Sequence, residues 1–428
     1  MAIVACSTPP GTSGIAVIRL SGKGSLKILS SITVNNKILP KHLSITLVEL
    51  VDEKKRVFDQ AVVAQYLSPN SYTGEELVEI SCHGNPLIVS KIIDLCVMAG
   101  ADLAEPGEFT KKAYLNGKID LTEAEAVSSV IHSKSLAGVR SGIKNLKGLL
   151  SRSIYKTKKV FVECVANIEF NLDISEDELQ PNLVEKTLLA VEEEISNLSK
   201  YVERFRESRF FQEGASVVLA GPPNAGKSTL FNSLINKNHS IVTKEKGTTR
   251  DVLEKNFYIK QLPVLLKDTA GIRDGKSEAE KLGVIKSEEE ISSADLVVMF
   301  DQKPDKPKDN YVYIFNKIDV NDADGNYDLL ISAKKNINIE KLKKRIYMEL
   351  VGGFSSSETM LTSKRQKRAV SLALKHAKRA STLLSEKNSL ELVVEDLNFC
   401  INELDKITSK TTKDDVLDAV FSSFCVGK

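Results

Sequence analysis

The chain has 428 residues, 42% of them hydrophobic and 27% charged, with a formal net charge of +2 and no tryptophan. That length accommodates two or three domains with cores of their own, and the balanced charge excludes a whole-molecule attraction for nucleic acid, leaving only local patches. Six cysteines, Cys6, Cys82, Cys96, Cys164, Cys400 and Cys425, lie scattered without a CxxC pair, which argues against a disulfide framework or zinc module and fits a reducing interior.

Residues 1–118 read as short strands with turns: GIAVIRLSG, FDQAVVAQYL and ELVEISCHG are β-rich, with Gly and Pro between them. From Leu121 the period changes. Leu136, Val139, Ile143, Leu146, Leu150 and Ile154 recur three and four apart, the stripe of an amphipathic helix. Helical character is expected to about Phe211, with a break near Asp173–Pro181. Then comes an alternating strand–helix segment over 214–352, with strands expected at SVVLAG, LPVLLKD, DLVVMFD, YVYIFNK and DLLISA. That rhythm predicts a doubly wound α/β domain. A second helical block starts near Ser363, with Val393, Leu397, Cys400, Leu404 and Ile407 on one face. The expected architecture is therefore multidomain α+β and α/β: a β-rich N-terminal domain (1–118), then a discontinuous all-α helical domain (119–213 and 353–428) interrupted by the α/β domain (214–352). Four separate domains in a row is the other arrangement these blocks allow. No apolar run approaches membrane-spanning length, and the start, MAIVACSTPPG, lacks the basic and apolar regions of a signal peptide. A cytoplasmic location without a membrane span is expected.

GPPNAGKST, residues 221–229, matches G-x-x-x-x-G-K-[ST] after a strand and before the apolar helix TLFNSLIN. A glycine-rich turn lets backbone N–H groups of Asn224, Ala225 and Gly226 face phosphates, and the helix N-terminus at Lys227, Ser228 and Thr229 adds its positive end. Lys227 supplies charge and Ser228 a hydroxyl ligand for magnesium. Asp268 ends the next apolar strand, where a carboxylate reaches magnesium through water, and Gly271 in DTAG (Asp268, Thr269, Ala270, Gly271) leaves a backbone N–H open to a γ-phosphate. NKID brings Asn316, Lys317 and Asp319; the Asp319 carboxylate accepts the two N–H groups on guanine's Watson–Crick edge, a donor pair that adenine lacks. SAK (Ser332, Ala333, Lys334) completes the base pocket. GTTRD lies about twenty residues beyond the glycine-rich turn, where Thr249 or Thr248 completes the magnesium shell, Thr249 being preferred. Four elements in order, each at the carboxyl end of a strand, point to a guanine-nucleotide site. Ile272, directly after Gly271, stands where many such hydrolases carry a water-orienting glutamine, and it can neither donate nor accept a hydrogen bond.

These motifs, with TPPGTSGIAVIRLSG, NSYTGEELVEISCHGN, PGEFTKKAYLNGKIDLTEAEAV, DTAGIRD and the terminal FCVGK, give the chain a resemblance to the TrmE family of bacterial tRNA-modification GTPases over nearly its whole length. The resemblance implies an N-terminal folate-binding and dimerising domain, a homodimer, and a heterotetramer with a flavin-dependent partner protein. It also implies modification of carbon 5 of the wobble uridine of certain tRNAs, with GTP hydrolysis driving conformational change. A tetrahydrofolate derivative, in a 5-formyl or methylene form, would supply the carbon. Folate contacts then fall on Arg19, Glu79, Lys118 and Lys428, types that suit a pterin and an anionic glutamate tail, and Cys425 would take part in modification. By the same resemblance hydrolysis requires potassium. Its ligands would be Asn224, Thr243, Glu245 and Thr248, with Thr243, Lys244, Glu245, Lys246, Gly247, Thr248 and Thr249 lining the nucleotide, and Glu280 would orient water through a second water. A fixed cation there neutralises transition-state charge as an arginine finger does elsewhere. The chain departs from the family's pattern at Thr12, Ser13, Asp102 and Pro222, none of them a residue assigned above.

Two stretches carry no acidic residue: 127–162, with Lys134, Arg140, Lys144, Lys147, Arg152, Lys156, Lys158 and Lys159, and 359–379, with Lys364, Arg365, Lys367, Arg368, Lys375, Lys378 and Arg379. They could form a face for tRNA phosphates; ordinary solvated helix faces explain the same charge. A GTP-dependent ribosome-assembly factor or switch is the alternative function, since the nucleotide motifs alone do not separate it from tRNA modification.

Overall fold

The computed structural model describes residues 1–34, 42–173, 182–235, 253–268, 288–352, 360–386, 389–408, 414–422 and 424–428. The β-rich N-terminal stretch forms β1 (Ala2–Cys6), β2 (Ser13–Ser21), β3 (Ser44–Val51), β4 (Val57–Tyr66), β5 (Leu77–Gly84) and β6 (Ala101–Leu103). They make one sheet of order β3-β4-β5-β2-β1-β6, antiparallel throughout except where β6 runs parallel to β1. Alternation decides its faces: in β4 Asp59, Ala61, Val63 and Gln65 point inward and their neighbours outward. The inward face, with Ile18, Leu20, Val63, Val78 and Ile80, is covered by α1 (Ser25–Ser31) and α2 (Pro86–Met98). Asn85 caps α2 by accepting from the Leu87 amide at 2.9 Å, and Pro86 occupies the first turn, where its missing N–H costs nothing.

A helix not expected from the sequence, α3 (Glu108–Leu115), comes first; then, as the change of period at Leu121 predicts, α4 (Leu121–His132), α5 (Leu136–Leu146), α6 (Leu149–Asp173), α7 (Leu183–Glu203) and α8 (Phe205–Glu213) follow. The single stripe read from Leu136 to Ile154 is in fact divided between α5 and α6. Gly148 adopts φ 73°, a left-handed conformation that ends one helix before the next begins. Leu150 and Ile154 are buried in α6, whereas Leu136 and Ile143 remain largely exposed on α5.

The α/β domain has β7 (Ala215–Ala220), α9 (Lys227–Ile235), β8 (Leu253–Ile259), β9 (Leu262–Asp268), β10 (Leu296–Met299), β11 (Tyr311–Phe315), β12 (Leu329–Leu330) and α10 (Ile339–Val351). Its strands run β12-β11-β10-β7-β9-β8, all parallel but for β8. β7 and β10 are near-continuous apolar runs, as strands covered on both faces must be. Two details depart from the expected strands. β8 enters as an antiparallel edge, and its first half, Glu254–Asn256, is exposed and carries no apolar signal. The expected strand DLLISA keeps only Leu329–Leu330, because at Ser332 the backbone pairs with Ile337 across a tight loop.

After the α/β domain come α11 (Lys364–Ser385), α12 (Leu390–Thr408) and α13 (Asp414–Phe421). Val393, Leu397, Cys400, Leu404 and Ile407 of α12 are all fully buried, and α12 lies against α6, with Lys158 meeting Asp405 at 2.5 Å. Helices from before and after the α/β domain thus build one discontinuous helical domain. By contacts the chain divides into two compact units, one of residues 1–128, 145–195 and 368–428, the other of residues 129–144 and 196–367. Among the described residues no helix is long and apolar enough to cross a membrane.

Candidate nucleotide and N-terminal sites

The turn after β7 is shaped by glycine. Gly221 has φ 141°, and a Cβ there would lie 2.7 Å from that of Phe300; Gly226 has φ 93°, and a Cβ would lie 2.3 Å from Asn316 Nδ2. Only glycine lets the loop pass this close to both neighbours. Lys227, buried in the first turn of α9, points its ammonium back over the loop and donates to the Gly221 and Pro222 carbonyls at 2.8 Å each. Ser228 and Thr229 are exposed beside it. The Ser228 hydroxyl donates to Asp268 Oδ2 at 2.8 Å, and Asp268 itself is fully buried at the end of β9. A hydroxyl and a carboxylate at this separation form the hard oxygen pair that suits magnesium, so the residues present fit that ion.

The base-pocket residues tie the loops together. Asn316 donates to the Ala225 carbonyl at 2.9 Å and accepts from the Ala333 amide at 3.0 Å, bridging the glycine-rich turn and SAK. Lys317, at φ 71°, reaches the Asn224 carbonyl at 2.8 Å. Ser332 donates to Asp319 Oδ1 at 2.6 Å and accepts from the Lys335 amide at 3.1 Å. That donated bond is the main reason the Asp319 carboxyl sits below its usual range, with Lys335 and Lys334 adding charge. Lys334 itself is exposed. Hydrogen bonds thus join Asn316 to Ala225 and Ala333, Lys317 to Asn224, and Ser332 to Asp319, while Lys227 bonds back to Gly221 and Pro222 and Ser228 to Asp268. Thr243, Lys244, Glu245, Lys246, Gly247, Thr248, Thr249, Thr269, Ala270, Gly271 and Glu280 lie outside the described residues, as does Ile272. Phe300, the wall against Gly221, was missed by sequence reading; its position at the end of β10 was the available signal.

A second cluster lies on the outward face of the N-terminal sheet. β2 and β5 set Arg19 opposite Glu79, and the guanidinium donates twice to Glu79 Oε1, at 2.6 and 3.0 Å. The chain's last residues return to this point. Arg19 Nη1 and the Ser7 hydroxyl both donate to the Gly427 carbonyl, at 3.3 and 2.9 Å, and Val426 bridges Pro106. Gly427, at φ 89°, lies so close that a Cβ would be 2.6 Å from the Cys6 carbonyl oxygen. Phe424 anchors the segment, packing on Phe421 beside Tyr114 and Leu121. Arg19 also lies under the rings of Tyr72 and Phe109, 5.7 and 5.8 Å from their centroids. Burial pushes the Tyr66 hydroxyl's pKa up, and the Glu79 charge adds to it. Arg19, Glu79 and the Lys428 end are thus brought together. Lys118 donates elsewhere, to the Pro69 carbonyl at 3.1 Å. Cys425 is exposed in the same terminal segment. Tyr72 and Ser7 were not singled out from sequence, though Tyr72 stands within a quoted motif and Ser7 directly precedes another. The cluster offers cationic, anionic and aromatic groups on one face, the set that a charged heteroaromatic ligand requires.

A family model described as the GTP-binding protein TrmE N-terminus matches residues 2–118, and one described as the MnmE helical domain matches residues 121–425. The tRNA modification GTPase MnmE of Thermotoga maritima is 36% identical over 453 residues, spanning 100% of this chain and 99% of that protein. The Aquifex aeolicus protein of the same name is 35% identical over 447 residues and that of Koribacter versatilis 36% over 449, with the same coverage.

Proposed function

The chain belongs to the MnmE (TrmE) family of tRNA modification GTPases, and from that premise we propose that it hydrolyses GTP in the modification of tRNA. The observation that carries the reading is the bond of Ser332 to Asp319, which fixes a carboxylate beside SAK, the segment that Asn316 ties to the glycine-rich, lysine-bearing turn. Asp319 selects guanine by accepting two N–H groups. Asn316 and Lys317 fix the turn against the base pocket, and Lys227 leaves the Gly221 and Pro222 carbonyls for the β/γ phosphates when nucleotide enters. Ser228, with Thr249 and with Asp268 acting through water, would hold magnesium, which neutralises phosphate charge.

The finer reading follows the family resemblance. Asn224, Thr243, Glu245 and Thr248 would hold potassium, a cation that would offset charge between the β and γ phosphates. Glu280 orients the attacking water, a task that Ile272 cannot perform. Arg19, Glu79, Lys118 and Lys428 would hold a 5-formyl or methylene tetrahydrofolate, which would supply a one-carbon unit, and Cys425, in the same terminal segment, would take part in modification. The target is carbon 5 of the wobble uridine, reached with a flavin-dependent partner protein in a heterotetramer. The chain pairs as a homodimer through residues 1–118. Domain limits at 118, 213 and 352 and a cytoplasmic location complete the proposal.

The test is GTP turnover in potassium against sodium, with and without the flavoprotein, alongside nucleoside analysis of tRNA from cells lacking the chain. Faster turnover in potassium, slowed by Glu280→Ala while nucleotide still binds, and loss of the modified wobble nucleoside are expected. Equal rates in the two salts refute the potassium assignment. Unchanged nucleosides refute the tRNA role and favour a GTP-timed assembly factor.

A further inference from the structure

Several exposed cations of this protein pair with acids on their own helix: Lys343 with Glu340 and Arg345 with Glu349 on α10, Lys406 with Glu403 on α12. α11 does not follow this pattern. From Arg368 to Ser385 it has no acidic residue of its own. Its inner face, Ala369, Val370, Ala373, Ala377, Ala380 and Leu384, is buried, and helical spacing puts Arg368, Lys375, Lys378 and Arg379 together on the opposite, exposed face. Like charges three and four residues apart repel, so an unbroken basic strip disfavours the helix unless an anion meets it. Arg379 is held by Asp396 of α12 at 3.2 Å, beside His376, which bonds the same carboxylate at 2.8 Å and stacks on Phe399 at 4.9 Å between ring centroids. Among the described residues Arg368, Lys375 and Lys378 have no acidic partner. The strip runs about 16 Å from Arg368 to Arg379 at 1.5 Å per residue, the scale of several successive phosphates. It is rigid, since α11 is fixed to α12 by that carboxylate and by the Cys400 thiol on the Ala373 carbonyl at 3.2 Å.

The geometry points to an RNA-docking strip: Arg368, Lys375 and Lys378 contact the phosphate backbone of the tRNA on which the proposed activity operates. This rests on the tRNA reading above and adds the surface that would hold the RNA. An exposed aromatic residue is missing from the strip itself, so the contact is to phosphates and shape and carries no base sequence.

The test is equilibrium binding of full-length chain to tRNA over a range of salt. Each phosphate contact contributes roughly 0.7–0.9 to the slope of log affinity against log salt, so the triple variant R368Q/K375Q/K378Q lowers that slope by about 2 to 3 and weakens binding at every salt. R368K/K375R/K378R retains the wild-type slope. Lys158→Gln, whose ammonium is already taken by Asp405, changes it little. Single glutamine substitutions, each lowering the slope by under about 1, replace the triple variant if it loses its helical circular dichroism. A folded variant with the wild-type slope overturns the inference, as does retained tRNA binding with lost binding of the flavoprotein. Wobble-nucleoside analysis separates the two levels. Cells lacking the chain that keep the modified nucleoside refute the function itself, whereas cells that lose it while the triple variant binds tRNA normally refute only the strip.

Discussion

Gly427→Ala tests whether the chain's end is part of the N-terminal site. At φ 89° an alanine is disfavoured by about 1–2 kcal/mol. Its Cβ would also lie 2.6 Å from the Cys6 carbonyl oxygen and 2.8 Å from Ser7 Cα, backbone atoms of a paired strand and its turn that cannot step aside. Overpacking of that kind adds about 1–3 kcal/mol, for a total of about 2–5 kcal/mol. Against this, the bonds from Ser7 and Arg19 to the Gly427 carbonyl contribute about 1 kcal/mol each. Residues 425–428 should therefore detach rather than distort the sheet, while Phe424 and its burial, about 1.5–3 kcal/mol, stay in place. Overall melting then changes little. Hydrogen exchange should accelerate at the Gly107 and Lys428 amides, whose acceptor is the Cys425 carbonyl. Binding of 5-formyltetrahydrofolate should weaken about tenfold or more as the Lys428 charge leaves the site. Gly14→Ala, with nothing within 4 Å of the new Cβ, is the matched control. Wild-type folate affinity and wild-type exchange at both amides in Gly427→Ala would refute the reasoning.

Asp319→Asn should cost about a hundredfold or more in GTP affinity and create binding to xanthosine triphosphate, measured by nucleotide titration, because the carboxylate's two acceptors become one acceptor and one donor. Ser332→Ala removes the main cause of the lowered Asp319 pKa. The charged form is favoured above the ordinary value and lost as pH falls through the lowered one, so GTP binding by Ser332→Ala should fail at a higher pH than in wild type within the acid range. Coincident acid limbs for the two proteins would contradict the assignment. Alkylation of native protein near pH 8 should label Cys425 well before Cys96 and Cys400, which burial pushes up to about 12; early labelling of either buried thiol, read by peptide mass spectrometry, would disprove their packing.

How legible each feature was follows from how local its cause is. The glycine-rich turn, NKID and SAK announce themselves because backbone conformation and ligand chemistry require particular residues at short spacing, and the burial of Val393 to Ile407 follows from helical period alone. β8 was invisible because Glu254, Lys255 and Asn256 interrupt its apolar pattern, and the strand is held by backbone pairing to β9. The break at Gly148 was missed because hydrophobic spacing continued across it in register, while a single left-handed residue redirected the chain.

By itself the sequence determined the doubly wound domain, the glycine-rich turn with NKID and SAK, and the family, since each depends on neighbours a few residues apart. Only the tertiary structure decided that Arg19, Glu79 and Gly427, up to 408 positions apart, share one face, and that α11 turns Arg368, Lys375 and Lys378 outward without an acidic partner among the described residues while Lys158 is already taken. Those outcomes depend on strand register and on which helix packs beside which, contacts whose partners are distant in the chain and leave no periodic trace in it.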